Sequence, residues 1–68
     1  DSRKLVGRNI RRIRREKGWS QEKLAFESGV HRTYISGVER GARNPTVLVL
    51  GQIADALGVS LTALFGGK

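Results

Sequence analysis

Four glycines divide this chain. Gly18, Gly29, Gly41 and Gly58 each follow a stretch whose apolar residues recur at helical spacing. A helix C-terminus favours a residue in the left-handed conformation, which glycine adopts without steric cost. The pattern reads as five short helical segments joined by tight turns, over about residues 3–17, 20–28, 31–40, 46–57 and 60–65. No stretch alternates apolar and polar residues for long enough to read as a strand. The expected fold class is therefore all-α.

Each segment carries an inner stripe. Val6, Ile10 and Ile13 lie at spacings of four and three in the first, and seven arginines and lysines before residue 16 occupy its other faces. Ser20 is an N-cap type ahead of the second, where Leu24 and Ala25 face inward and Glu22 suits the positive end of the helix. Lys23 stands where a capping-box glutamate would be, so no box is expected. In the third, Ile35 and Val38 are core positions, with Val30 plugging the turn before it. The fourth starts near Pro45 or Thr46, with Asn44 or Thr46 as its cap. Its inner stripe reads Val47, Leu50, Ile53, Ala54 and Leu57, and Gly51 weakens it. In the fifth, Ser60 is the cap candidate and Leu61, Leu64 and Phe65 are apolar. Gly66, Gly67 and Lys68 read as a frayed end.

Sixty-eight residues make one domain with a thin core, the kind that a partner subunit often supports. With no cysteine there are no disulfides and no thiolate metal sites, and His31 alone builds no metal centre. No metal and no cofactor are expected. The net charge of +7 and an isoelectric point near 11.2 point to a polyanion, nucleic acid before an anionic membrane surface. The longest apolar run, Val47–Leu50, is far too short to span a bilayer. The basic N-terminus has no apolar region after it, so it does not read as a signal peptide, and a cytoplasmic location is the expectation.

Residues 28–41, SGVHRTYISGVERG, stand out. A helix built only for packing keeps its outer face simple and charged, whereas His31, Arg32, Thr33, Tyr34 and Ser36 offer varied hydrogen-bonding groups, as a reading surface would. The longer stretch SQEKLAFESGVHRTYISGVE has the spacing of two short helices joined by a glycine turn. Gly29 lies in the turn, Val30 fills the angle, and Ala25 is small enough for a close crossing.

On these residues the chain resembles the Cro/C1-type, or Xre-type, helix-turn-helix regulators. The resemblance runs from about Leu5 to Phe65 through NIRRIRREKGWSQEKLA, SGVHRTYISGVERGARNPT and LGQIADALGV. RTYISGVERGARNPT also resembles the small controller proteins of restriction–modification systems. The resemblance implies a compact five-helix bundle of the lambda-repressor-like DNA-binding type. Helices two and three would form the helix-turn-helix, with the third in the major groove of DNA.

Site residues follow from that placement. Arg32 can donate two hydrogen bonds to guanine O6 and N7, and Thr33 can pair with a base edge or touch a thymine methyl. Tyr34 and Ser36 flank them as further candidates for base contact. The resemblance assigns backbone contacts to Gln21, Arg43 and Asn44, with Arg40 a weaker candidate. His31 departs from the small capping residue common at its position, and either contacts a phosphate or is simply exposed. Trp19 reads as an aromatic at the core edge. Relatives pair an arginine of the first helix with a glutamate ending the third. Arg14 and Glu39 match those positions, and are otherwise two unrelated surface charges. The remaining charges of the first helix, Arg3, Lys4, Arg8, Arg11, Arg12 and Arg15, form a mostly solvated face.

Leu48 and Val49 fall outside the inner stripe of the fourth segment. The resemblance places dimer contacts in the fourth and fifth helices, so the expected interface is Leu48, Val49, Gln52, Leu61 and Phe65; otherwise the helix is rotated and these residues enter the core. The expected function is a DNA-binding transcriptional regulator, such as a repressor, that reads a near-palindromic site as a homodimer and acts on RNA polymerase. It is not expected to be an enzyme. The rival readings are a DNA-binding module of a larger regulator or antitoxin, and a non-specific basic nucleic-acid-binding protein.

Overall fold

A computed structural model describes residues 1–66. Gly67 and Lys68, part of the expected frayed end, lie outside the described residues. The chain forms four α-helices, α1 (Ser2–Glu16), α2 (Gln21–Ser28), α3 (Arg32–Glu39) and α4 (Val47–Leu57), followed by a 3-10 helix at Leu61–Phe65. The five expected segments are all present, but the fifth is not an α-helix. It has only five residues, too few to propagate 13-atom rings, and it closes tighter bonds such as Ala63 N–H to the Ser60 carbonyl at 3.0 Å.

The punctuating glycines stop the helices as their spacing predicts. Gly18, Gly29, Gly41 and Gly58 all have φ between 73° and 75°. The starts are set by side chains. Ser20 Oγ accepts from Lys23 N–H at 3.0 Å, and Thr46 Oγ1 accepts from Val49 N–H at 3.1 Å, so Thr46 rather than Asn44 caps α4. Ser60 makes no such bond; its hydroxyl pairs with Thr62 Oγ1 at 2.9 Å instead. Asp1, not anticipated as a cap, starts α1 by accepting from Arg3 N–H at 2.9 Å.

One core joins all five elements. Ile10, Leu24, Ile35, Val38, Ile53 and Leu64 are its fully buried side chains, with Val6, Ile13, Val30, Leu50, Ala54 and Leu57 around them. Val47 is a correction: it is 69% exposed rather than part of the inner stripe. As the first residue of α4 it sits at the rim, lining a shallow groove with Val6, Pro45, Leu50 and Phe65.

Two features of α1 went unread in the sequence. Asn9 is buried, and its Nδ2 donates to the Leu64 carbonyl at 2.8 Å and the Gly66 carbonyl at 3.1 Å, tying α1 to the end of the chain. Gly66 is therefore held rather than frayed. Gly7 is also buried, and a Cβ there would land on the carbonyl oxygens of Val38 and Glu39. Gly51 behaves oppositely, since a Cβ on it meets nothing within 4 Å. Gly51→Ala is expected to raise stability by about 0.5–1 kcal/mol, because alanine orders more cheaply in a helix interior. A urea-midpoint shift of the opposite sign would mean that this face is not open.

Candidate nucleic-acid interface

The site begins with a buried carboxylate. Glu39, the last residue of α3, receives Arg14 Nε at 2.7 Å and Arg14 Nη2 at 3.0 Å, a two-pronged pair with side-chain exposures of 8% and 2% for Arg14 and Glu39. Gln21 Nε2, at the start of α2, donates to the same carboxylate at 3.0 Å. The third prong of Arg14, Nη1, donates to the Trp19 carbonyl at 2.7 Å. One carboxylate therefore ties α1, α2 and α3 together, and the charge of Glu39 is matched inside the protein. Charge-assisted bonds of this fork geometry are directional, so they fix orientation as well as distance. The Gln21 amide nitrogen is engaged inward on Glu39.

This frame holds α3 with its other side outward. His31, Arg32, Thr33 and Arg40 are exposed, while Tyr34 and Ser36 are half-buried. Arg32 is held only loosely, its Nε 3.9 Å from Glu22 Oε2. Ser36 Oγ accepts from Arg40 Nη1 at 3.5 Å. Tyr34 packs against the core with the Arg43 guanidinium 5.3 Å from its ring centre, a cation–π distance. Arg43 also runs over Gly37, where a Cβ would come within 2.6 Å of Arg43 Cγ. The absent side chain at Gly37 thus makes room for the arginine to cross α3. Asn44 is exposed beside it in the loop.

At the start of α3, His31 is the N-cap. Its Nδ1 accepts from Thr33 N–H at 3.2 Å and lies 2.6 Å from Thr33 Oγ1. Trp19, half-buried at the core edge, has Lys17 Nζ 4.7 Å and Lys23 Nζ 5.6 Å from its ring centre. The exposed cations Arg32, Arg40 and Arg43 lie along α3 and the loop after it, with Lys17 closing α1, Lys23 in the first turn of α2, and Arg3, Lys4, Arg8, Arg11, Arg12 and Arg15 exposed along α1. This distribution suits a polyanion lying across α3. Among the described residues no group of histidine, aspartate or glutamate is arranged to hold a metal ion, and no helix is long and apolar enough to cross a membrane.

Residues 10–64 match the helix-turn-helix family. The chain belongs to this family. Among its relatives, the uncharacterized HTH-type transcriptional regulator y4dJ of Sinorhizobium fredii is 57% identical over 60 residues, covering 88% of this chain and 78% of y4dJ. The control protein C.BamHI of Bacillus amyloliquefaciens is 54% identical over 56 residues, covering 81% of this chain and 69% of that protein. Among solved structures, the restriction–modification controller protein C.AhdI of Aeromonas hydrophila superposes with a TM-score of 0.90 at 43% identity, over 93% of this chain and 96% of that one. The four α-helices and the terminal 3-10 helix thus form an all-helical fold of the helix-turn-helix family.

The expected dimer residues are spread over two environments. Leu48 is 76% exposed and Phe65 45% exposed, and Gln52 is also exposed. Val49 and Leu61 are half-buried and pack against the core. Exposed Phe26, on α2, was not singled out in the sequence.

Proposed function

We propose that this chain is a sequence-specific, double-stranded DNA-binding transcriptional regulator. It reads a near-palindromic operator as a homodimer, with α3 in the major groove. The observation that carries this reading is the first turn of α3. There Arg32 and Thr33 stand exposed on a helix whose far end is locked to α1 and α2 through Glu39. A recognition helix needs both features, free side chains at its N-terminal end and a fixed angle to the body behind it. The solved tetramer of the controller protein C.Esp1396I in complex with its natural 35-base-pair operator, 46% identical to this chain with a TM-score of 0.85, supports the same use of the fold.

In this reading Arg32 forks onto a guanine, Thr33 and Ser36 meet neighbouring base edges, and Tyr34 supports them. His31, Arg40, Arg43 and Asn44 grip phosphates on either side, and Gln21 braces the frame. Leu48 and Phe65 form the centre of the dimer contact, with Val49, Gln52 and Leu61 at its edge. A two-fold dimer sets the half-sites about one turn, or roughly 34 Å, apart. The protein acts in the cytoplasm, without cofactor or catalysis, and blocks or recruits RNA polymerase according to where the operator lies.

The test is selection of bound sequences from random duplex DNA at a fixed salt concentration near 0.15 M, with the mass in solution measured alongside, because affinities are comparable only at one ionic strength. The expected outcome is a near-palindromic consensus and a dimer. Enrichment of nothing overturns the reading in favour of a non-specific basic protein. Within the consensus, Arg32→Ala is expected to cost about 1–3 kcal/mol in binding and to relax one base position. An anisotropy titration that moved only through its salt slope would reassign Arg32 to phosphate.

A further inference from the structure

The helix cap at the start of α3 fixes which way a proton points. Thr33 N–H can only donate, and its acceptor is His31 Nδ1 at 3.2 Å. Nδ1 therefore carries no hydrogen, and in the neutral ring the proton is on Nε2. Thr33 Oγ1 lies 2.6 Å from the same bare nitrogen. A proton lies between the two atoms, and with Nδ1 accepting from the Thr33 N–H it is the Thr33 hydroxyl that supplies it. Its single hydrogen is then committed to the protein, and only oxygen lone pairs remain for anything outside. Both side chains are exposed at the N-terminal end of α3.

We infer that His31 is a specificity-determining residue, which makes Thr33 an acceptor-only reader of DNA bases. The inference rests on the proposal that α3 reads DNA. A free threonine hydroxyl is ambiguous, since it can donate to guanine O6 or N7 and to thymine O4, or accept from an amino group. A hydroxyl already donating to His31 can meet only adenine N6 or cytosine N4, the amino donors of the major groove. Opposite guanine it would set lone pairs against lone pairs. His31 thus does more than cap a helix, and its larger ring is suited to this task. A glycine in its place is tolerated as an N-cap at little cost and offers the Thr33 hydroxyl no side-chain acceptor.

Two measurements test this. The first needs no DNA. His31 is the only histidine, so its ring 15N signals are unambiguous in the free protein at a pH where the ring is neutral. The Nε2-protonated tautomer is expected, and an Nδ1-protonated ring overturns the inference. The second is selection from random duplexes with the wild type, His31→Gly, Thr33→Val and the double variant. Thr33→Val locates the base pair that Thr33 reads. There the wild type should favour adenine or cytosine on the contacted strand by about fivefold, the worth of one ordinary hydrogen bond. His31→Gly keeps a residue tolerated at an N-cap but frees the hydroxyl, so guanine and thymine should rise to near parity at that position alone. On the Thr33→Val background, His31→Gly should change nothing further there. A wild-type preference for guanine at the Thr33 position overturns the inference, as does a His31→Gly profile identical to wild type, while the rest of the consensus stands. A wild type that enriches no sequence removes the DNA-reading proposal itself, which is a different result.

Discussion

Replacing Glu39 by alanine should cost this protein most of its stability. The substitution leaves the Arg14 guanidinium, whose side chain is 8% exposed, without its carboxylate, and it also strands the Gln21 amide. Removing one partner of a buried ion pair costs about 3–5 kcal/mol, because the remaining charge stays desolvated. A 68-residue domain has a total of only about 3–10 kcal/mol to lose. The expected result is a chain largely unfolded at 25 °C, seen as lost helical circular dichroism and a urea transition shifted to near zero denaturant. Arg14→Met combined with Glu39→Leu should recover much of that loss, since apolar residues of similar volume replace buried pairs at little cost. The recovered protein separates stability from function, for it keeps α3 packed without the fork that fixes its angle. A loss below about 1 kcal/mol for Glu39→Ala would mean that water reaches the pair and screens it.

Gly7→Ala is the second large effect, and its sign runs against helix propensity. In an open helix the change gains up to about 1 kcal/mol, as expected for Gly51→Ala. At Gly7 the new Cβ falls on the carbonyl oxygens of Val38 and Glu39, with Glu39 O at 2.7 Å and its carbonyl carbon at 3.0 Å. These are backbone atoms at the end of α3, and no rotamer change moves them aside. Either α1 backs away from α3, which strains the Arg14–Glu39 fork, or α3 shifts. Overpacking of this kind typically costs about 1–3 kcal/mol, and backbone obstruction places Gly7→Ala at about 3 kcal/mol. Urea unfolding of Gly7→Ala and Gly51→Ala side by side should give shifts of opposite sign. Equal and stabilising shifts would show that α1 and α3 pack less closely than the structure has them.

The sequence by itself determined the elements. Glycine tolerates the left-handed turn, and serine and threonine oxygens cap the next helix. Both effects act within four residues, so they are legible without knowing what packs on what. Hence the stops at Gly18, Gly29, Gly41 and Gly58, the cap at Ser20, and the buried Ile10, Leu24, Ile35 and Ile53 follow from spacing, whereas the choice of Thr46 over Asn44 came from the structure. The exposed His31, Arg32 and Thr33 followed too, because varied polar groups on a short helix are a local pattern.

What only the tertiary structure decided involves partners distant along the chain. Gly7 looks like a weak spot in a helix until α3 is laid against it, 31 residues on from Gly7 to Val38. Asn9 looks like a surface amide until it reaches the carbonyl of Leu64, 55 residues away. Gln21 turns inward because Glu39 is there to receive it. Val47 has the right phase for the core, yet it sits at the rim, where the first turn of α4 meets the edge of the bundle. Periodicity specifies a direction around a helix axis, but not whether another element lies in that direction. That is settled only when four helices and a 3-10 turn close on one another, and the same closure fixes the angle at which α3 is held through Glu39.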